Sequence, residues 1–376
     1  MKKGLDVLSL TRKLLSFNTI NPPGREHDCA KYLGNLLEDG RFKAGYYEFA
    51  EGRTSLIARI EGNGHKAPIC FTGHIDTVPL GAANWKKDPF SGEVDGNKIY
   101  GRGSSDMKGA VAAMVVAALT LAKLPNGKAG ITLVITAGEE TGCQGAHHLA
   151  GLGNVLGKAG AIVVGEPTSN YPLLGHKGAL WLEGCTSGVA AHGSMPEKGV
   201  NAIYKAARAV AKLEKYNFNV SPHPFLGLPT LNVGTISGGM NINSVPDRAV
   251  IGIDIRTIPG QDNNKLYEEL QSYLGEEVEL RRILDVGGIC TDPENDWIKE
   301  VFEIMEKFLE DSPTVRGATY FTDASVLTPS FDNCPTVILG PGELTMAHRT
   351  DEFCYISKIE AAVEAYTEIA QKWCNL

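Results

Sequence analysis

Four short apolar runs set the pattern of this chain, and each breaks off into histidine or acidic residues. Ile69-Cys-Phe-Thr72 leads into Gly73-His74-Ile-Asp76, and Ile131 to Thr136 leads into Ala-Gly-Glu139-Glu140. Ala161 to Val164 leads into Gly-Glu166-Pro, and Thr336 to Leu339 leads into Gly-Pro-Gly and then His348. Runs this short, rich in Ile and Val, fit strands buried on both faces of a mostly parallel sheet. Helical spacing occupies the gaps: Leu5 to Phe17, Asp28 to Leu37, and a long apolar helix capped by Ser105, with Asp106 in its first turn, that runs to about Leu124. Alternation of this kind predicts an α/β fold.

From about Lys177 the pattern changes. Ala179 to Cys185 alternates, a helix follows from Val200 to about Tyr216, and strands follow at Thr230 to Ile236 and Ala249 to Arg256. A helix from Asn263 to Leu274 and a strand from Val278 to Ile283 complete the order β-α-β-β-α-β, the ferredoxin-like arrangement. The economical interpretation is an inserted α+β domain over residues 177–288, with 1–176 and 289–376 together forming one catalytic-type α/β domain. A length of 376 residues suits such a division, since single cores stop growing well before that size.

Composition removes several function classes. Thirty-six basic against 44 acidic residues give a net charge of −8, so neither a nucleic acid nor an anionic membrane is expected as the main partner. The longest apolar stretch, Ala110 to Ala122, lies between Lys108 and Lys123 and is shorter than the ~20 residues of a membrane span. Asp6, Arg12 and Lys13 interrupt what would be the apolar part of a signal peptide, which places the expected location in the cytoplasm. The 8 cysteines have no metal-ribbon spacing and read as free thiols in a reducing compartment.

In open α/β sheets, ligands gather where strands end at their carboxyl edge. His74, Glu140, Glu166 and His348 all follow such strand ends, and Asp106 opens a helix. An imidazole and carboxylate set without cysteine suits Zn²⁺, Mn²⁺ or Co²⁺. Asp106, Glu140 and Glu166 with a bridging hydroxide carry the charge that two divalent ions balance, and such ions sit roughly 3.5–4 Å apart. Glu139 is then left free to take a proton from the water. Taken singly, each residue has a plainer role: Glu139-Glu140 as an exposed acidic pair, His192 on a surface turn, Arg256 as a strand-end cation, Asp76 as a turn cap beside Thr77. His27, His65, His147, His148 and His223 read as ordinary side chains, and His176 as a structural residue at the domain junction.

The segments Thr72-Gly-His74-Ile-Asp76-Thr-Val-Pro79, Tyr100-Gly-Arg-Gly-Ser-Ser-Asp106-Met-Lys-Gly109, Thr136-Ala-Gly-Glu139-Glu140-Thr-Gly142, Gly165-Glu166-Pro-Thr168 and Ala347-His348-Arg-Thr-Asp-Glu352 follow one another over nearly the whole chain. In this the chain resembles the M20 family of metallopeptidases and amidohydrolases, nearest its acetylornithine deacetylase and succinyl-diaminopimelate desuccinylase branch. The resemblance implies that His74, Asp106 and Glu166 bind one metal and Asp106, Glu140 and His348 the other, with Asp106 bridging. It implies Glu139 as general base and Asp76 as the residue that orients His74. The inserted domain then corresponds to a lid and dimerisation domain. Its Ser187-Gly-Val-Ala-Ala-His192-Gly-Ser-Met-Pro196 segment supplies a histidine, His192, that stabilises the oxyanion, often from the other subunit. Asn243, in Gly238-Gly-Met-Asn-Ile-Asn243-Ser-Val-Pro246, and Arg256, in Asp254-Ile-Arg256, would grip the substrate carboxylate.

The expected activity is therefore hydrolysis of the amide bond of an N-acyl amino acid by a metal-bridged hydroxide, in a homodimer that uses zinc first, or cobalt or manganese. The alternatives are a dipeptidase or aminoacylase on the same site, or a metal-binding dimer without catalysis. Two decoys are set aside. Gly151-Leu-Gly153-Asn-Val-Leu-Gly157 lacks dinucleotide-loop spacing, and Ser105-Asp-Met-Lys108 matches a serine-amidase pattern without its companion elements.

Overall fold

The computed structural model describes residues 5–125 and 127–376. These form two compact units. The first comprises the chain up to Gly175, Cys290–Arg316 and Thr322–Leu376; the second comprises His176–Ile289 and Gly317–Phe321. The return of Gly317–Phe321 to the second unit is carried by main-chain pairing, with the Lys177 N–H donating to the Ala318 carbonyl at 3.1 Å. Nothing in the composition of those five residues announced it.

The first unit is built on a six-stranded sheet in the order Lys43–Ala50, Arg53–Ile60, Ala129–Thr136, Lys66–His74, Ala161–Val164, Thr336–Ile338. The first two joins are antiparallel and the other three parallel, so the sheet is mixed but mostly parallel. Ala129–Thr136 and Ala161–Val164 are buried along their whole length, which is why they read as unbroken apolar runs. The edge strand Lys43–Ala50 has no such run and was not expected. It is recruited by a two-residue hairpin at Glu51-Gly52, where Gly52 takes φ +73°.

The helix Gly109–Leu121 is apolar on every side because it is covered on every side, packing on the strand Lys66–His74 and on the C-terminal helix Ile356–Cys374. Of Ser104–Leu121, the one described stretch apolar and long enough to cross a membrane, 89% is buried inside the protein. Close approach explains two glycines beside strand ends. A Cβ on Gly73 would lie 2.5 Å from Met107 Cε, and one on Gly165 would lie 2.6 Å from Met114 Cε.

The start of that helix differs from the expectation. Ser105 does not cap it and Asp106 is not in its first turn. Residues Ser104–Lys108 form an irregular wide turn in which Asp106 has φ −123° and ψ 92°, and the Asp106–Met107 bond is cis. Local propensity favoured continuing the helix. Instead the Ser105 and Asp106 amides donate to the buried carboxylate of Glu352, a partner more than 240 positions away in the chain.

In the second unit a four-stranded antiparallel sheet runs in the order Thr230–Gly238, Arg248–Arg256, Ala179–Ser187, Glu279–Val286. Alternate residues Ala249, Ile251, Ile253 and Ile255 are buried against helices Ala202–Leu213 and Asn263–Leu274. Each helix starts where its sequence signals, with Asn201 accepting from the Tyr204 amide and Asp262 from those of Asn264 and Lys265. Thr230–Gly238 lies at the edge of the sheet, and exposed Ile236, Met240 and Ile242 lie along and just beyond it.

Candidate active site

Because Lys66–His74, Ala129–Thr136, Ala161–Val164 and Thr336–Ile338 are mutually parallel, their carboxyl ends share one edge of the first unit's sheet. His74 ends its strand, Glu139 and Glu140 follow theirs, Glu166 follows its own, and the turn before the Gly109–Leu121 helix brings Asp106 among them. His348 arrives on the loop after the short turn Leu344–Met346, in a left-handed conformation with φ +63°.

His74 Nε2 lies 3.1 Å from Asp106 Oδ1 and 3.8 Å from Glu166 Oε1. His348 Nε2 lies 3.4 Å from Asp106 Oδ2 and 3.2 Å from Glu140 Oε2. The two oxygens of Asp106 thus face two different imidazoles. Ligand atoms of His74, Asp106 and Glu140 fall within 4.8 Å of one another, as do those of His74, Glu139 and Glu166. All of these residues except His348 are nearly enclosed, the His348 side chain keeping 56% of its surface exposed.

So many acids in one buried place repel one another. Burial, and then Glu166, push the Glu139 carboxyl well above its ordinary range; burial and then Asp106 raise Glu140. Burial also raises Glu166 well above its ordinary range, against the pull of His74. Burial works against charge on Asp106 too, but His348 and His74 outweigh it and hold that carboxyl low. Hydrogen bonding to Asp106 and Glu140 lifts His348 to about 10. Glu140 Oε1 is buried with no hydrogen-bond partner among the described residues. An excess of crowded oxygen donors, two imidazole nitrogens and an unpartnered buried oxygen form a set that divalent cations satisfy and that protein hydrogen bonds alone do not.

Asp76 lies behind this cluster, fully buried. Its main-chain carbonyl accepts from His74 Nδ1 at 3.0 Å, while its carboxylate accepts from the amides of Glu139 at 3.1 Å and Glu140 at 3.2 Å and from Asn21 Nδ2 at 2.9 Å. The orientation of His74 is therefore set first by the Asp76 backbone, with the carboxylate 3.5 Å from the ring. Asn21 also donates to Thr141 Oγ1 at 2.9 Å. Asp323 went unrecognised in the sequence because no motif frames it. It is buried, accepts from the Thr136 hydroxyl, and burial pushes its carboxyl up to about 6.

The serine-amidase arrangement is not formed. Ser105 Oγ donates to the Phe353 carbonyl at 2.7 Å and accepts from the Glu343 amide at 3.0 Å, while Lys108 Nζ donates to the Phe17 carbonyl at 2.8 Å.

In the second unit, His192 and Asn243 are neighbours. His192 pairs with Ser244 across a short ladder, and the Gly193 amide donates to the Asn243 carbonyl at 2.7 Å. The Ser194 amide donates to His192 Nδ1 at 3.2 Å, so in the neutral ring the proton sits on Nε2, free to be donated. Arg256 is elsewhere. It lies at the far end of the Arg248–Arg256 strand, whose two ends are roughly 26 Å apart at the usual rise per residue. Asn243, which precedes this strand, and Arg256, which ends it, are thus set apart by its length within one chain. A strand puts residues this far apart in sequence at opposite ends, however similar their motifs look. The Arg256 Nε is 2.9 Å from Asp254 Oδ1, which also accepts from Trp181 Nε1 at 2.8 Å, and the guanidinium lies 5.8 Å from the ring centres of Trp181 and Phe321.

With the geometry in place, comparison with known proteins identifies the lineage. The profile of peptidase family M20/M25/M40 matches residues 70–372. The chain belongs to that family. It is a metal-dependent hydrolase of the M20 type. M20 relatives include a probable succinyl-diaminopimelate desuccinylase of Staphylococcus epidermidis, 30% identical with 98% of both chains covered. An acetylornithine deacetylase of Vibrio parahaemolyticus is 31% identical, again over 98% of both. Among solved structures, an M20 family metallo-carboxypeptidase from Sulfolobus solfataricus has the same fold, with a TM-score of 0.84 at 21% identity over 99% of this chain and 100% of the other.

Proposed function

We propose that this M20 enzyme hydrolyses the amide bond of a small N-acyl amino acid, using two divalent cations, zinc first and cobalt or manganese in its place. The observation that carries the reading is Asp106, whose two oxygens each face a different histidine, as a carboxylate shared between two ions requires. His74, Asp106 and Glu166 would hold one ion, and Asp106, Glu140 and His348 the other. Divalent cations held by these residues would supply Lewis acidity, activating a water and polarising the substrate carbonyl. Glu139, buried beside them, would accept the proton of the attacking water and return it to the leaving nitrogen. His192 donates its Nε2 proton as the carbonyl oxygen gains charge. Arg256 faces the substrate carboxylate with its planar fork, exchanging or sharing its contact with Asp254.

The substrate class is supported by the two deacylase relatives, each aligned over 98% of this chain. The separation of His192 and Asn243 from Arg256 supports a homodimer through the second unit, a lid and dimerisation domain of ferredoxin-like order. A partner subunit would then supply the first two. The edge strand Thr230–Gly238, with exposed Ile236, Met240 and Ile242 alongside, is a surface suited to such pairing.

The deciding experiment is turnover of a panel of N-acetyl- and N-succinyl-amino acids and of dipeptides by protein loaded with zinc, cobalt or manganese. Selective cleavage of the acylated amino acids is expected. Cleavage confined to dipeptides makes the enzyme a dipeptidase on the same site, and no cleavage of any of them removes the reading.

A further inference from the structure

Arg102 and Glu352 are both buried to within 1% of full enclosure and are joined at 2.7 Å between Arg102 Nη1 and Glu352 Oε2. None of the chemistry described above uses them. What they bond to is nearly all main chain. Glu352 Oε1 accepts from the amides of Ser105 at 2.8 Å and Asp106 at 3.1 Å, and Oε2 from the amide of Gly103 at 3.0 Å. Arg102 donates from Nη1 to the Arg349 carbonyl at 3.2 Å and from Nη2 to the Pro79 carbonyl at 3.0 Å. Gly103 must be glycine for its amide to reach, since it sits at φ +89° and a Cβ there would lie 2.7 Å from Thr77 Cγ2.

A buried ion pair is a poor way to stabilise a core, because desolvating both charges costs about as much as their attraction returns. Its value lies in direction. One oxygen of Glu352 grips the peptide units on either side of Ser105, which fixes where the Asp106 side chain departs. The other, through Arg102, reaches the carbonyl next to His348. The same carboxylate therefore spans the two irregular segments that present Asp106 and His348, neither of which is held by a helix or a sheet ladder. His74 and Glu166 need no such strut. His74 lies within the sheet and its ring is held by the Asp76 carbonyl, while Gly165, next to Glu166, donates its amide to the Thr72 carbonyl at 3.0 Å.

We propose that Arg102 and Glu352 are a positioning pair that fixes the bridging carboxylate of Asp106 against His348, and so selects for the ion held by Asp106, Glu140 and His348. This rests on the two-ion reading above. Breaking the pair is expected to weaken that ion more than the one held by His74 and Glu166, which shares only Asp106 with it; a merely structural salt bridge has no reason to discriminate between them.

The test is titration of metal-stripped full-length protein with Zn²⁺ by calorimetry, and with Co²⁺ by its visible absorption, for wild type, Glu352→Gln and Arg102→Lys. Wild type is expected to take up two ions. In Glu352→Gln the amide nitrogen faces main-chain donors, and the second ion is expected to bind about 10- to 100-fold more weakly while the first, which keeps His74 and Glu166, changes by less. Arg102→Lys keeps the charge but cannot reach both carbonyls, and is expected to change the second ion in the same direction by less. Melting curves of the stripped proteins identify a variant that fails to fold; if Glu352→Gln does so, Arg102→Lys decides. Two ions bound with wild-type affinity and spectrum in folded variants, or both ions weakened alike, overturns the pair's role and leaves the two-ion reading standing. Wild type that takes up no second ion overturns both.

Discussion

The Nδ1 of His74 donates to the main-chain carbonyl of Asp76 at 3.0 Å, which leaves Nε2 directed at Asp106 and Glu166. The side chain of Asp76 is then free to hold the Glu139 and Glu140 amides. In Asp76→Asn the ring keeps its tautomer, but one amide of the Glu139-Glu140 segment meets a donor in place of an acceptor. Metal affinity measured by calorimetry is expected to fall about 10- to 100-fold, as for other residues that support ligands. An unchanged affinity with unchanged kcat would show that the loop is held without Asp76.

Glu139→Gln preserves shape and removes the proposed base. The kcat for the best substrate is expected to fall by about 10²- to 10⁴-fold, with both ions retained by elemental analysis. Near wild-type turnover would assign the proton transfer to another group.

Metal uptake and pH are linked with a definite sign. Burial and mutual repulsion raise Glu139, Glu140 and Glu166, so the metal-free site holds protons that a free carboxylate would have shed. Cations expel those protons, and affinity therefore rises with pH over the range where the raised carboxyls titrate. Calorimetry in buffers of different ionisation enthalpy should register net proton release on binding; zero release contradicts the electrostatic picture.

Arg256→Ala removes a charged hydrogen-bond fork, a group worth about 1.5–3 kcal/mol to an ionic partner. KM for carboxylate-bearing substrates is expected to rise about 10- to 100-fold with kcat little changed. Equal KM values for the variant and wild type would release Arg256 from the substrate and leave it as Asp254's partner.

His176 gives the second unit an acid-sensitive element. Burial pulls its imidazole down to about 4, whereas an unfolded histidine titrates near ~6.5. Above ~6.5 both states are neutral and the stability is fully present. As the pH falls below that value the unfolded chain takes up a proton that the fold refuses, and stability declines until pH about 4. The total is about 3 kcal/mol. Urea unfolding at pH 7 and pH 5 should show a smaller acid loss in His176→Leu than in wild type, although the variant forfeits the Nδ1 bond to the Lys177 carbonyl at every pH.

The amino-acid sequence by itself determined the buried strands, since Ala129–Thr136 and Ala161–Val164 must be apolar throughout to lie inside a sheet, and with them the side chains past their ends. It determined the helices of the second unit through caps such as Asn201 and Asp262, which act over three residues. Interactions of that range leave a local trace. Tertiary structure alone decided the return of Gly317–Phe321 to the second unit and the unwinding of the chain at Asp106. Glu352 pulls that turn out of a helix its own residues would have continued, and Asn243 and Arg256 are parted by the length of a strand. The reason is common to the Gly317–Phe321 return and the Asp106 turn: each depends on a partner distant in the chain, and no spacing within a segment encodes where a distant partner will be.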